Sequence, residues 1–455
     1  MKCMHPDRAE KVFASVLKKI KPTESQNRKD FEAANHLIKK LSAVVPSSIE
    51  VKLGGSLAKG TNLAGHNEFD IFVLFPQSMK HDEMTTLGMQ YARKAFAGMR
   101  METRYAEHPY LQVYHGDYHA DIVPAYRITA ISEKGSSVDR SQLHTSYINS
   151  KLDAKGKDGV RLLKRFMKNF GIYGAELRVE GFSGYLCELL VAHYGSLISA
   201  MEAASEWHEP VLDTEQHGAP LSEMRKMFPA PLIVIDPVDP KRNVAAVVSR
   251  TSLSRFIFEC RRFLRGPSEK FFYSEKKQHT LSEVKRMMEG RRTKCLLVSF
   301  KAPEVVPDIL WPQLRKTAGA LSKHLTDRDL SVFGQYHWSD GEECAVFFEL
   351  DKWEMPSVVK AMGPSVTFAA DADAFVEKHS GALNMHIEHE RIVAVEKREV
   401  TDAATALSEA CRKPQGLGVP HRMEEAIRKG KILEGKALLK EKYREFLSDY
   451  FFAKI

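Results

Sequence analysis

The 455-residue sequence has no apolar run that approaches ~20 residues, the length that a membrane-spanning helix requires. Its N-terminus lacks the apolar core of a secretory signal peptide. The six cysteines are scattered without Cys-x-x-Cys spacing, which argues against a zinc site and against a disulfide framework. We therefore expect a cytoplasmic protein that has no membrane partner.

The sequence also lacks internal repeats, low-complexity tracts and a Walker-type phosphate loop. These absences argue against a repeat protein and against a P-loop NTPase. Its composition, 43% hydrophobic and 28% charged, is that of an ordinary globular protein, and its length predicts about three domains. The net charge of +8 favours an anionic partner, although many basic proteins bind no nucleic acid.

Residues 54 to 75 combine a tight turn with an acidic strand. An alternating apolar run at 49–53 predicts a strand leading into a Gly-Gly pair, where Gly55 permits a sharp turn. Ser56 then stands where an N-cap would open a short helix, and Lys59 follows closely. Backbone N–H groups at such a turn, with a lysine nearby, suit a polyphosphate.

Three acidic residues lie on two predicted strands. Glu68 and Asp70 are two residues apart, so their side chains share one strand face. Close carboxylates on an apolar strand repel each other, and binding of divalent ions explains them, whereas an isolated pair more often faces solvent. Asp121 lies among apolar neighbours in a predicted strand at 118–126, where a buried salt-bridged acid is the alternative.

The segment 236–243, Asp-Pro-Val-Asp-Pro-Lys-Arg-Asn, contains two Asp-Pro steps that predict a rigid loop. We expect a helix to begin at Asn243. Arg242 offers a planar fork that can read a base edge or bind phosphate. The alternative is a capped loop that faces solvent, which is the better interpretation for Lys241.

Together these motifs resemble the polymerase-β nucleotidyltransferase superfamily, and the whole chain is similar to the archaeal (class I) CCA-adding enzymes, ATP(CTP):tRNA nucleotidyltransferases. The similarity includes the Gly-Ser turn, the Glu-x-Asp strand and the Asp-Ile-Val-Pro segment that begins at Asp121. It extends to Asp-Arg-Ser-Gln-Leu-His at 139–144, Gly-Phe-Ser-Gly-Tyr at 181–185 and the Asp-Pro segment at 236–243.

The resemblance implies that Glu68, Asp70 and Asp121 are catalytic and bind two Mg²⁺ ions. One ion would activate the tRNA 3′-hydroxyl, which attacks the α-phosphate of CTP or ATP, and the other would stabilise the departing pyrophosphate. The nucleotide-binding residues that the resemblance implies are Gly55, Ser56, Lys59, Ser141, His144, Lys164, Tyr173 and Arg242.

Some of these residues have simpler interpretations outside the family motifs. His144 would then be a loop histidine with satisfied hydrogen bonds, and Lys164 a solvated charge on a helix. Lys59 stands where some family members have arginine, and a lysine binds phosphate as a point charge without a bidentate fork. The sequence also departs from the family pattern at Phe69, Ser141 and Gln142.

The resemblance implies an α+β multidomain fold. A polymerase-β-like nucleotidyltransferase head is expected at residues 1–150, a helical neck similar to that of poly(A) polymerases at 151–265, and a tRNA-binding body and tail at 266–455. Alternating strands, helices and hairpins in the last region predict a ferredoxin-like sheet with helices on one face. Within it we expect a helix at 353–362 and a helical stretch at 421–444.

The implied function is template-independent addition and repair of the 3′-terminal CCA of tRNA from CTP and ATP, with the acceptor stem and 3′ end as partners. A poly(A) polymerase or an oligoadenylate synthetase shares the fold and the metal triad, and product composition separates these from a CCA-adding enzyme. A third interpretation is an RNA-binding protein that has lost catalysis, which the presence of all three acids disfavours. The sequence leaves open whether the chain forms a homodimer.

Overall fold

The computed structural model describes residues 1–105, 109–218, 220–273 and 278–453. The chain divides into two compact units, Met1–Glu275 and Lys276–Ile455. Within the described ranges, no helix is both long and apolar enough to cross a lipid bilayer.

The first unit opens with a mixed five-stranded sheet and its flanking helices. These elements are α1 (Pro6–Ile20), α2 (Glu24–Ser42), β1 (Glu50–Gly54), α3 (Gly55–Lys59), β2 (Glu68–Phe75), α4 (His81–Ala95), β3 (Met101–Tyr105), β4 (Pro109–His115) and β5 (Tyr118–Tyr126). The strand order is β1-β2-β5-β4-β3, in which β2 and β5 are parallel and the other neighbours are antiparallel. Ile71 and Val73 of β2 pack with Leu37 of α2 and Met84 of α4 in one buried core. This packing of the apolar part of β2 holds the first residues of the strand in position.

The rest of the first unit is mainly helical. Its elements are α5 (Arg140–Lys151), α6 (Ala154–Asn169), α7 (Gly184–Tyr194), α8 (Leu197–Ala204), β6 (Val211–Leu212), α9 (Leu221–Met227), β7 (Ile233–Asp236), β8 (Asp239–Asn243) and α10 (Arg250–Arg265). Leu163 and Phe166 of α6 lie in a buried core with Leu190 of α7 and Phe256 of α10. Ser183 is the N-cap of α7, and its side chain accepts a hydrogen bond from the Leu186 N–H.

The expected helix at Asn243 is wrong. Asn243 ends β8, which pairs with β7 as a hairpin, and the next helix begins at Arg250. The Asn243 side chain accepts hydrogen bonds from the Val234 and Ala245 N–H groups and donates to the Leu232 carbonyl. It therefore joins neighbouring backbone segments and does not initiate a helix.

The second unit contains two antiparallel sheets. Its elements are α11 (Leu281–Arg291), β9 (Lys294–Lys301), α12 (Pro307–Thr326), β10 (Ser331–Ser339), β11 (Glu343–Lys352), β12 (Val358–Ser365), α13 (Ala369–Lys378), β13 (Asn384–Glu388), β14 (Arg391–Lys397), α14 (Ala403–Arg412), α15 (His421–Arg428), β15 (Lys431–Glu434) and α16 (Arg444–Phe452). The larger sheet has the order β10-β11-β9-β15, and the smaller has the order β12-β14-β13.

Two expectations for this unit are wrong. Residues 353–362 do not form a helix, because Pro356 opposes one and the β-branched Val358 and Val359 begin strand β12. The stretch 421–444 is not one helical segment, because α15 ends before Gly430 and β15 then pairs with β9. A Cβ at Gly430 would lie 2.8 Å from the Ile427 carbonyl oxygen, so glycine allows this close backbone approach.

Candidate active site

Strands β2 and β5 place Asp70 and Asp121 directly opposite each other in parallel register. Neighbouring strands are about 4.8 Å apart, and residues in register project from the same face of the sheet. Gln112 of β4 donates a hydrogen bond of 2.8 Å to Asp121 Oδ1 and thereby orients that carboxylate. The two acids are therefore adjacent although 50 residues separate them in the chain.

The electrostatics of this pair indicate uncompensated negative charge. Burial, followed by the charge of Asp121, raises the pKa of Asp70 to about 6, and Lys59 opposes the rise. Burial also raises the pKa of Asp121. Two partly buried carboxylates in register supply the hard oxygen donors and the negative charge that a divalent cation prefers, so these residues fit Mg²⁺.

Glu68, the third expected ligand, has a different environment. Its side chain is 56% exposed, and its carboxylate oxygens lie 3.2 Å from His119 Nε2 and 3.5 Å from His66 Nε2. Among the residues that the structure describes, no three His, Cys, Asp or Glu side chains are arranged to hold a metal ion. The structure thus brings together two of the three predicted ligands, and Glu68 would have to reorient to join them.

The predicted nucleotide-binding turn lies against the acidic pair. Gly55, the first residue of α3, has a φ of +64°, which favours glycine. A Cβ at this position would lie 1.8 Å from Asp70 Oδ2, so the backbone passes directly against the carboxylate. The expected N-cap at Ser56 is wrong, because Gly54 is the N-cap and Ser56 lies within α3, where it is partly buried. The turn and the acidic strand therefore form one site.

Two predicted phosphate-binding lysines meet at a buried carboxylate that sequence reasoning missed. Lys59 Nζ donates to Glu188 Oε2 at 2.6 Å, and Lys164 Nζ lies 3.5 Å from Glu188 Oε1. Glu188 is 1% exposed. Tyr173 is close to this cluster, since a Cβ at Gly184 would lie 3.1 Å from Tyr173 Oη and 3.6 Å from Lys164 Nζ.

A second buried carboxylate gathers the predicted residues of the Asp-Pro segment and of α5. Asp236 is fully buried and accepts hydrogen bonds from His144 Nε2 at 2.9 Å, Arg242 Nη1 at 2.8 Å and Tyr185 Oη at 3.1 Å. The His144 and Tyr185 rings stack with centroids 3.8 Å apart. Ser141 lies three residues before His144 on α5, so both project from a similar face of the helix.

The pKa of Asp236 follows from these contacts. Its burial alone would raise the pKa, but the hydrogen bonds and charges of His144 and Arg242 outweigh burial and lower it to about 2. Burial lowers the pKa of His144, and Asp236 opposes that change. Asp236 is therefore an ionised anchor for two of the predicted nucleotide-binding side chains.

A cavity of about 480 Å³ lies beside Arg242. Lys134 and Arg140 line it, and both pair with Asp239, at 3.3 Å and 2.9 Å respectively. Lys241 also borders the cavity. The lining is rich in cations, so the cavity suits an anionic ligand.

Comparisons with known proteins match three successive parts of the chain. The nucleotidyltransferase domain family matches residues 35–144, the second domain of tRNA nucleotidyltransferase matches 158–273, and the C-terminal domain of CCA-adding enzyme matches 291–435. The chain is thus an α+β multidomain protein with a nucleotidyltransferase head, a second domain and a C-terminal domain.

Full-length relatives give the same result. The CCA-adding enzyme of Methanothermobacter thermautotrophicus is 36% identical over 92% of this chain and 92% of its own length. That of Methanosarcina mazei is 37% identical over 88% and 89%, and that of Haloarcula marismortui is 33% identical over 98% and 99%. A solved structure of Cid1 poly(U) polymerase covers 60% of this chain at 18% identity and a TM-score of 0.48, which alone does not establish a shared fold. The three domain matches and the full-length similarity show that the chain belongs to the archaeal-type CCA-adding enzymes, the CCA tRNA nucleotidyltransferases.

Proposed function

We propose that this chain adds and repairs the 3′-terminal CCA of tRNA by binding CTP or ATP at the turn that begins at Gly55. The nucleotide is then transferred to the tRNA 3′-hydroxyl, and pyrophosphate is released. The observation that carries the proposal is the opposition of Asp70 and Asp121 directly beside this turn. A nucleotide bound at the turn has its phosphates next to the oxygen donors for the metal ions that the transfer needs.

Asp70, Asp121 and Glu68 are the residues that would hold two Mg²⁺ ions. The donor set supports this assignment, since the raised pKa of Asp70 reports negative charge that a cation would neutralise. The bound ions would supply electrostatic stabilisation of the attacking and leaving oxygens. The chain itself fixes Asp70 through its strand register and orients Asp121 through Gln112.

The other predicted contacts lie near one of two buried carboxylates, Glu188 or Asp236. Near Glu188, we assign Ser56, Lys59 and Tyr173 to the nucleotide phosphates, with Lys164 as a buried neighbour of this group. Near Asp236, we assign Ser141, His144 and Arg242 to the sugar, the phosphates and the base. Arg242 is one-third exposed, and a guanidinium has five N–H donors, so contact with Asp236 leaves donors for a base edge or a phosphate.

We assign the acceptor stem of tRNA to the second unit. Its larger sheet supports a ferredoxin-like body, because the order β10-β11-β9-β15 fits that fold. The elements β9, α12, β10, β11, α14, α15 and β15 follow a β-α-β-β-α-β pattern, with β12, α13, β13 and β14 inserted between β11 and α14. The net charge of +8 suits an RNA backbone. We also propose that the protein acts in the cytoplasm, the location expected from the sequence.

The test is incubation of the purified protein with Mg²⁺ and a tRNA transcript that ends at the discriminator base. CTP and ATP are supplied separately and then together, and the products are sequenced. We expect C addition with CTP alone and termination at CCA with both nucleotides. A long A tail with ATP alone would indicate a poly(A)-type polymerase, and binding of tRNA without any product would indicate a protein that has lost catalysis.

A further inference from the structure

Glu188 joins three parts of the first unit. Besides Lys59, its carboxylate accepts a hydrogen bond of 2.5 Å from Thr61 Oγ1. Lys164 Nζ donates to the carbonyl oxygen and to Oγ1 of Thr61, both at 3.1 Å. Because Lys59 ends α3, Thr61 lies in the following loop, Lys164 is on α6 and Glu188 is on α7, one carboxylate connects the turn to the helical part.

The cluster contains two ammonium groups and one carboxylate, so its formal charge is positive. Burial would raise the pKa of Glu188, but Lys59 and Lys164 outweigh burial and lower it, and the carboxylate stays ionised. Buried charge of one sign is unfavourable unless a counter-charge lies nearby. The acidic pair supplies part of that counter-charge, since Lys59 lowers the pKa of Asp70, and a triphosphate at the adjacent turn would supply more.

The two lysines differ in what they can reach. The Lys164 side chain is 3% exposed, and its ammonium group contacts Thr61 and Glu188. The Lys59 side chain is 10% exposed, and Lys59 is the last residue of α3, the short helix that begins at Gly55. Lys59 is therefore the better placed of the two to meet a phosphate, and Lys164 supports the loop at Thr61.

We propose that Glu188 is a positioning residue that holds Lys59 and the Thr61 loop in place for the β- and γ-phosphates of the incoming nucleotide. The inference rests on the proposed function, because it takes the turn at Gly55 as the triphosphate site. It also gives Lys164 an indirect role, through Thr61, instead of the direct phosphate contact that family resemblance implies. Glu188 itself does not touch the nucleotide.

The test compares E188Q and the conservative E188D with the wild-type protein in C addition to a tRNA transcript. E188Q keeps the shape of the side chain but removes its charge. We expect the KM for CTP to rise roughly tenfold to a hundredfold, the effect of losing one charge-assisted hydrogen bond, while kcat changes little. Inhibition by CMP should be nearly unchanged, because CMP lacks the two outer phosphates. E188D should recover part of the loss.

E259Q is the matched control, because Glu259 is also a 1% exposed carboxylate of the same unit, and its partner is Arg262. We expect E259Q to lower stability without raising the KM for CTP. A double-mutant cycle adds a second readout. If Glu188 acts through Lys59, E188Q should raise the KM for CTP less in a K59Q background than in the wild type.

An unchanged KM in E188Q, or an equal loss of CTP and CMP affinity, would overturn the inference. If E188Q does not fold, the same measurements on E188D and T61V decide, and they should show smaller changes of the same kind. Absence of C addition by the wild-type protein would instead contradict the proposed function, so the two failures are distinguishable.

Discussion

The backbone at Gly55 lies directly against the carboxylate of Asp70, and no side chain fits between them. A Cβ at Gly55 would lie 1.8 Å from Asp70 Oδ2 and 2.8 Å from its Cγ. This contact couples the turn that we assign to the nucleotide phosphates with the strand that we assign to the metal ions. The turn and the acidic strand are therefore in direct contact at this point.

Gly55→Ala tests this coupling, with Gly65→Ala as its matched control. Both glycines have positive φ, +64° and +73°, but nothing lies within 4 Å of a Cβ at Gly65. An alanine in this region costs about 1–2 kcal/mol of strain at either position. We expect G65A to lose only stability, whereas G55A should also lose nucleotide addition. Urea unfolding and C-addition rates measure both, and equal activity of the two variants would refute the coupling.

Asp236 should make part of the stability of the first unit depend on pH. Its folded-state pKa of about 2 is below the ordinary value of 3.8, so its contribution is present above pH 3.8 and is lost as the pH falls through 2. The shift corresponds to about 2 kcal/mol near neutral pH. We expect D236N to be less stable than the wild type at pH 7 by at least this amount.

The control for Asp236 is the pH series itself. The difference in unfolding free energy between wild type and D236N should be constant from pH 7 to about pH 5 and about 1 kcal/mol smaller at pH 3. A difference that stays constant down to pH 3 would mean that His144 and Arg242 do not hold Asp236 ionised.

Salt should weaken tRNA binding more than CTP binding. Release of counterions from an RNA backbone makes affinity fall steeply with salt, in proportion to the number of phosphate contacts. The net charge of +8 favours several such contacts. We expect the affinity for tRNA to fall about tenfold or more between 50 and 200 mM salt. Filter binding measures this change, and similar salt slopes for tRNA and CTP would argue against an extended phosphate interface.

Local features of the site could be predicted from the sequence. The strand Tyr118–Tyr126 was expected with these bounds, because alternation and apolar content are local signals. The Gly-Gly turn is predictable because glycine tolerates positive φ, which Gly55 adopts at +64°. By contrast, the strand register that places Asp70 opposite Asp121 depends on long-range packing of β2 on β5, which no local pattern encodes.

The two buried anchors could not be identified in advance, although each left a signal. Glu188 is the one acid in the apolar run Tyr-Leu-Cys-Glu-Leu-Leu-Val, and a buried acid requires a partner. Asp236 follows the apolar run Leu-Ile-Val-Ile in the same way. Their partners Lys59 and His144 lie about 90 residues or more away in the chain, so only the fold reveals the pairing.

The wrong helix at residues 353–362 has a different cause. Pro356 precedes strand β12, and the second half of the stretch, from Val358, lies on that strand, where pairing with β14 outweighs the helical pattern that the apolar residues suggest. Pairing with a distant strand determines the secondary structure of such a segment, so the sequence of the segment alone does not predict it.

The most direct measurement of the central claim compares D121N with D117N in Mg²⁺-dependent C addition at saturating CTP. Asp117 is exposed in the turn before β5, so D117N makes the same chemical change outside the proposed metal site. Mutation of a residue that only supports a metal ligand already lowers activity by up to about a hundredfold. We therefore expect D121N, which changes a proposed ligand itself, to lower the rate by more than that. D117N should keep the wild-type rate and Mg²⁺ dependence. C addition by D121N at the wild-type rate would contradict the assignment of Asp70 and Asp121 as the catalytic metal ligands.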